Sequence, residues 1–280
     1  MSMTNAYDSY RALHIITRPG VGTAGVVLQQ QNLEFKRLYI ESPVLIFVEK
    51  GMKAVRWPGG EYLIRAGEAI VVAGGQSLDI TNKLAEDGSY RAQWLAWDET
   101  LIALCAESNL DLPAIKHALP MRSDTADFAV SLHRAIQAVE DSTIPTMIAR
   151  HRLQELLVWI GVNGGRLEQS GALTMAVKVR RLIGKDLASE WSAEAVASSF
   201  AMSEATMRRR LAEEGTNLSN LLIDARMSFA LQLLQSTAQP VMQIALSVGY
   251  QTPSQFAVRF RDRFGFPPTA IRGHRRAALI

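Results

Sequence analysis

The stretch I-A-L-S-V-G-Y-Q-T-P-S-Q-F-A-V-R-F-R-D-R-F-G-F-P-P-T-A-I-R, Ile244 to Arg272, spells a short helix, a tight turn and a second helix. Pro240 stands in the first turn of a helix ending near Val248, and Gly249-Tyr250-Gln251 makes the turn. Thr252 caps the second helix and Pro253 takes its first position, where a missing N–H does no harm. Phe256, Phe260 and Phe264 recur every fourth residue and mark the buried side, and Phe264-Gly265 ends the helix. That turns Ser254, Ala257, Val258 and Arg261 outward.

The same plan stands upstream. Ser192 caps a helix over Ala193–Ser199, Phe200-Ala201-Met202 turns, and Ser203 caps a helix running to about Glu214. Met207 and Leu211, four apart, face the core, so Ala205, Thr206, Arg208, Arg209 and Ala212 point outward. The spacing predicts a connecting helix over Leu218–Ser236 with Leu221, Leu222, Ala225, Phe229, Leu233 and Leu234 on its buried side. A helix whose outer N-terminal face carries Arg and small polar residues can enter a major groove. Arg there pairs bidentately with guanine, and its neighbours touch bases or thymine methyls. The bland alternative makes Arg208-Arg209-Arg210 a solvated face with ion pairs to Glu204 or Glu213. Arg275 and Arg276 in the tail read as generic phosphate attractors.

Charge agrees with an anionic partner at this end. The 280 residues carry 30 Lys/Arg and 27 Asp/Glu, a net +3. Residues 1–171 hold 16 Lys/Arg against 19 Asp/Glu, whereas residues 172–280 hold 14 against 8. The excess is all in the C-terminal third.

This third resembles the AraC/XylS family of bacterial transcription activators. The resemblance rests on Trp191–Gly215, on R-M-S-F-A-L-Q-L-L from Arg226 to Leu234, and on Val241–Arg272, with its Gly-aromatic turn and Phe-Gly-x-Pro-Pro ending. It implies double-stranded promoter DNA as partner, read from Ala205, Thr206, Arg208, Arg209, Ser254, Ala257, Val258 and Arg261. It also implies RNA polymerase as a partner and a homodimer on DNA. The family often has a basic residue where Val258 stands, which gives the second helix a positioning role and leaves most base readout to Arg208 and Arg209.

The first hundred residues read as strands. Leu45–Val48, Ala54–Trp57, Tyr62–Ile64, Ala69–Val72, Leu78–Ile80 and Ala92–Ala96 are short and separated by Gly, Pro and Asn, and Trp57-Pro58-Gly59-Gly60-Glu61 is a hairpin turn. From Thr125 the period becomes helical: Phe128, Leu132, Ile136 and Val139 form one stripe, and Ile148, Leu153, Leu156, Leu157 and Ile160 another. Gln169-Ser170-Gly171 reads as a linker. The expected fold is α+β: a cupin-like antiparallel β-barrel over 1–120, a helical dimerisation region over 121–171, and an all-α domain over 172–280. The last holds helix-turn-helix motifs near 193–214 and 241–264. Phe128, Leu132, Ile136 and Leu156 are the expected dimer contacts, the alternative being that the stripe only covers the barrel.

The barrel resembles a cupin sensor domain. Gly67, Ala73, Gly75, Leu78 and Asn82 follow the spacing of the second cupin motif, and Gly51 fits the end of the first. Metal cupins place a ligand His at the position of Leu78, and no His occurs between His14 and His117. A His-built metal site on the strands is thus unavailable, which disfavours a metal-dependent cupin enzyme. A non-metal cupin enzyme fused to a DNA-binding domain is the remaining alternative to a regulator without catalysis. Tyr39, Trp57, Tyr62, Trp94 and Trp97 are candidate pocket residues for a small-molecule effector, the competing sensor being contact with an anti-activator protein. The single cysteine, Cys105, reads as a small core residue. No cofactor or metal is expected. The polar N-terminus shows no signal sequence, and no apolar run has membrane-spanning length, so a cytoplasmic location is expected.

Overall fold

Alternation of apolar side chains organises the first half into two facing sheets. The computed structural model describes residues 15–106, 111–122, 126–168 and 174–271; Arg275, Arg276 and the Gln169–Gly171 linker lie outside them. Six antiparallel strands form one sheet in the order β1 (Ile15–Arg18), β2 (Gly22–Gln29), β9 (Tyr90–Trp97), β4 (Val44–Lys50), β7 (Ala69–Val72) and β10 (Ala118–Met121). The second sheet runs β3 (Leu33–Ile40), β8 (Gln76–Lys83), β5 (Met52–Trp57) and β6 (Gly60–Arg65). The fold is α+β as expected, with the cupin-like sheets forming an open sandwich and not a closed cylinder.

Register assigns each face of the six-stranded sheet. Leu95 stands opposite Ala24 on one side and Leu45 on the other, and these three are buried with Val71 and Trp97 against the helices. Those helices are α1 (Glu99–Ala106), α2 (Ala126–Glu140) and α3 (Thr146–Val162). Phe128, Leu132 and Ile136 of α2 and Leu153 and Leu156 of α3 complete that core. Arg18 pins β1 to the turn after α2, donating to the carbonyls of Ala138 (2.7 Å) and Ile144 (2.5 Å). The alternate residues of the sheet face the second sheet. Lys53 of β5 lies with its Nζ 5.5 Å above the Tyr90 ring of β9.

The expected dimer contacts need correction here. Phe128 is 0%, Leu132 4%, Ile136 8% and Leu156 1% exposed, because the stripe of each helix covers the sheet of its own protomer.

The chain divides into two compact units, the second made of Gly171–Leu234 and Gln239–Ala270. The second is all helical: α4 (Met175–Gly184), α5 (Ala193–Ser199), α6 (Glu204–Glu213), α7 (Leu218–Ser236), α8 (Val241–Ser247), α9 (Pro253–Phe264) and a 3₁₀ turn over Pro268–Ala270. Val179, Ile183, Val196, Met207, Leu211 and Leu221 form a core shared by α4 to α7. The Glu214 carboxylate accepts from the N–H groups of Met175 and Ala176, both at 2.7 Å, and so caps α4 from the end of α6. In α9, Phe256, Phe260 and Phe264 are buried in a row, with ring centroids 5.6 and 4.7 Å apart. Phe229 departs from its expected place: it is exposed, and the buried line of α7 runs through Leu221, Met227, Ala230, Leu231 and Leu234.

Helix α7 holds the two halves of this unit in register through two charged residues. Asp224 accepts from Arg263 of α9 at 2.7 Å and from Arg180 of α4 at 3.3 Å. Arg226 donates to the carbonyls of Leu187 (2.9 Å) and Ser189 (3.0 Å) and lies 5.8 Å over the Tyr250 ring. Gly249 allows that approach: its φ is +80°, and a Cβ there would stand 2.8 Å from the Leu187 carbonyl oxygen. The Arg180 and Arg263 side chains are only 11% and 9% exposed, so their shared carboxylate works in a partly dehydrated setting. Asp224→Ala is therefore expected to destabilise the second unit by about 2–4 kcal/mol. Urea unfolding of the full chain, followed by a probe in that unit, measures it; a loss below about 0.5 kcal/mol would place the clamp elsewhere.

Candidate nucleic-acid interface

Two helix-turn-helix motifs are built on one local plan. Ser192 Oγ accepts from the Ala195 N–H at 3.1 Å and starts α5; Ser203 Oγ accepts from Thr206 N–H at 3.2 Å and starts α6. In the second motif Pro240 precedes α8, and Thr252 Oγ1 accepts from Gln255 N–H at 3.3 Å at the start of α9. The turns match bond for bond. Ala201 N–H bonds Ser198 O and Met202 N–H bonds Ala197 O; in the second motif Gly249 bonds Leu246 and Tyr250 bonds Ala245. Each turn has one left-handed residue, Ala201 at φ +50° and Gly249 at +80°. Ala201 pays the steric cost of that conformation with no glycine's freedom, about 1–2 kcal/mol.

Packing fixes what each second helix shows to the outside. In α6 the core takes Met207 and Leu211, at 0% and 1% exposure. Arg209 lies two residues from each, and at 100° per residue this places it on the opposite side. Arg208 and Arg210 flank it, all three exposed with Ala205, while Thr206 is half-buried with its hydroxyl 3.0 Å from Ser203 Oγ. In α9 the phenylalanine row leaves Val258 at the outer apex, 60% exposed, beside exposed Ser254 and Arg261, with Ala257 on the flank. Arg259, which the sequence pattern did not single out, is exposed on the other flank.

Within the free chain the arginines of α6 are matched one turn away. Arg208 bonds Glu204 at 2.6 Å and Arg209 lies 3.8 Å from Glu213, with both guanidinium groups more than two-thirds exposed. The ion-paired surface and the expected recognition surface are thus the same residues. Exposed i,i+4 pairs contribute only about 0.3–0.5 kcal/mol each and exchange readily for a phosphate or a guanine edge.

In the first unit the candidate pocket aromatics separate. Trp57 packs with Tyr62 at 5.3 Å and stacks on His117 at 5.3 Å, and His117 Nδ1 is 2.7 Å from Gln76 Oε1. Trp94, opposite Gly25 in the register, lays its ring over that glycine, where a Cβ would come within 2.8 Å. Trp97 lies on the helix-covered face, its indole N–H donating to Leu153 O at 2.9 Å. Tyr39 pairs with Ser77, one residue out of step with inward Leu78. Trp57 and Tyr62 are together; Trp97 is not with them. Leu78, at the cupin ligand position, is 1% exposed. Cys105 is half-buried beside the helical core, and desolvation raises its thiol pKa above the usual range.

Two groups escaped the sequence pattern. Asp224 and Arg226 stand in an apolar-looking helix, and only the R-M-S-F-A run pointed at Arg226. Of the buried polar cluster Gln29, Lys53, Asn82 and Tyr90, only Asn82 stands in a sequence motif, and nothing in the pattern marks the four as a group.

Comparison with known proteins places these features. Residues 196–274 match the family model described as a helix-turn-helix domain. The transcriptional regulator SirC of Salmonella typhimurium is 37% identical over 105 residues, covering 38% of this chain and 36% of SirC. The regulator GadX of Escherichia coli is 37% identical over 95 residues, covering 34% of this chain and 35% of GadX. The chain thus matches about a third of the length of these curated relatives. Among solved structures, ToxT of Vibrio cholerae superposes with a TM-score of 0.64 at 14% identity, over 89% of this chain and 97% of that one; this is a likeness of fold. The paired motifs, the matched caps and turns and the similarity of residues 196–274 make the C-terminal unit a helix-turn-helix domain of AraC/XylS type.

Proposed function

We propose that the protein is a sequence-specific DNA-binding transcriptional regulator, acting as an activator without catalytic activity of its own. The observation that carries this is the duplicated helix pair with Arg209 at the outer apex of α6. In this reading both second helices enter successive major grooves, about 34 Å apart, on one face of the duplex. Ala205, Thr206, Arg208 and Arg209 read bases, whereas Ser254, Ala257 and Arg261 fix position and Val258 meets a thymine methyl. The first unit senses a signal, a small molecule or an anti-activator protein, and alters promoter occupancy or RNA polymerase recruitment from the cytoplasm. Such a signal must favour one state of the regulator over the other by differential affinity.

A homodimer on DNA belongs to the same reading, and its contact moves from the buried stripe to the outer face of α3. Met147, Val158 and Val162 are 71%, 61% and 73% exposed and lie along one side of that helix with His151. A second copy, packed helix to helix, covers them.

Arg209→Ala should weaken the cognate site by about 1–3 kcal/mol and relax preference at one or two base pairs, while Arg261→Ala should cost affinity evenly across sequences. Binding selections on randomised duplexes separate the two outcomes, and an even loss for Arg209→Ala would make it a phosphate contact. For the parent, log K should fall with log salt at a slope set by several phosphate contacts; a flat response would remove the DNA-binding reading. In sedimentation, Val158→Asp combined with Val162→Asp should lower self-association and keep the fold. Leu132→Asp, at 4% exposure, should instead cost more than about 4 kcal/mol of stability.

A further inference from the structure

The inner faces of the two sheets carry polar side chains where the rest of the sandwich is apolar. On β2 and β9, Gln29 and Tyr90 are direct cross-strand partners, 1% and 0% exposed. On β5 and β8, Lys53 and Asn82 are partners in the same way, 5% and 1% exposed. The two pairs face one another, since Lys53 Nζ lies over the Tyr90 ring.

The chemistry of this group is incomplete in a specific sense. Lys53 Nζ donates to Asn82 Oδ1 at 2.6 Å, and among the described residues no carboxylate forms an ion pair with it. Desolvation by burial pushes its pKa down to about 7, with no anion beside it among the described residues to hold the charged form. Neither amide atom of Gln29, nor the hydroxyl of Tyr90, has a hydrogen-bond partner among the described residues. Buried polar groups are otherwise nearly always paired, each unmet one costing about 1–3 kcal/mol. Two classes of donor, an ammonium and neutral N–H and O–H groups, thus lie with one unmet acceptor, Gln29 Oε1.

We propose that this cluster is a binding site for a short 2-hydroxy acid. The carboxylate sits against Lys53 and accepts from Tyr90 and the Gln29 amide, and the hydroxyl donates to Gln29 Oε1. An anion supplies the countercharge that Lys53 lacks, and the hydroxyl supplies the donor that a plain carboxylate does not have. The neighbouring inward residues Val48, Val55 and Phe35 are apolar and almost fully buried, so a long tail would have to displace packed core side chains. The proposal rests on the reading of the first unit as a sensor and names the chemical class of its signal.

Thermal unfolding and titration calorimetry of the full chain test it, with lactate as probe and propionate and octanoate as controls. Saturating lactate is expected to raise Tm by about 4 °C, propionate less, and octanoate not at all. Lys53→Met removes a buried cation, so it is expected to raise the ligand-free Tm and abolish the lactate shift. Gln29→Leu is expected to erase the preference for lactate over propionate while keeping the fold. Near pH 8 binding should take up a proton on Lys53, read as a dependence of the observed heat on the buffer's ionisation enthalpy. A parent without a lactate shift, a shift that survives Lys53→Met, or a lactate preference that survives Gln29→Leu would each overturn the site. DNA occupancy separates this from the sensor reading: lactate that binds without changing occupancy keeps the site and removes the sensor. Occupancy that responds to another molecule, with no lactate shift, does the reverse.

Discussion

The contact on which the helix-turn-helix unit depends is the charged clamp of α7. Two short helix-turn-helix motifs could meet a duplex in many relative orientations, and only a fixed one places both second helices in successive grooves. Apolar packing alone sets such an angle poorly, because hydrophobic contact is non-directional. Asp224 ties α4 and α9 to the same carboxylate, and Arg226 binds two carbonyls after α4 while covering Tyr250 in the second turn. Hydrogen bonds to a guanidinium fork carry direction as well as energy. The glycine at 249 is part of the same device, since a side chain there would drive the second turn off Leu187.

The helical unit was legible because its information is local. Caps, a left-handed turn residue and an apolar step of four are each written within a few positions, so Ser203, Thr252 and the phenylalanine row sufficed. The strands were legible in part. β4 to β9 are β-branched or aromatic runs between clear turns, whereas the four-residue β1, the Gly-containing β2, the charged β3 and the short Pro-containing β10 carry a weaker signal. Faces were harder still. A period of two says which residues share a side, not which side meets helices and which meets the other sheet. Trp97 and the Phe128–Ile136 stripe show this: the sequence leaves core and contact surface as alternatives for both, and the three-dimensional pairing puts both in a core between sheet and helices.

Lys53 shows the limit from the opposite direction. In the run Lys53, Val55, Trp57 the lysine keeps inward phase with two apolar neighbours, and charge makes a sequence pattern read it as the end of the buried set. Only the facing sheet, with Tyr90 under the ammonium group, shows that the phase continues. A buried lysine without a countercharge costs stability, and the penalty is greatest at pH values where it would be protonated in the unfolded chain and in the fold alike. Its unfolded pKa is the ordinary 10.5 and its folded one is about 7, so the fold gains stability as pH rises between those values. Sites of this kind are retained by function more readily than by stability.

The arginines of α6 join the same economy of weak and strong interactions. Glu204 and Glu213 hold Arg208 and Arg209 through exposed pairs that salt screens within about 8–10 Å, so they lower the helix's attraction for arbitrary phosphate without locking it. A guanine edge offers two acceptors in the plane of the guanidinium, which an exposed carboxylate one turn away at 3.8 Å does not match for Arg209. Under the proposed reading, the exchange therefore favours the correct base over the backbone. In that reading, specificity comes from what the free protein already gives Arg208 and Arg209 to hold, as much as from the contacts they would reach on DNA.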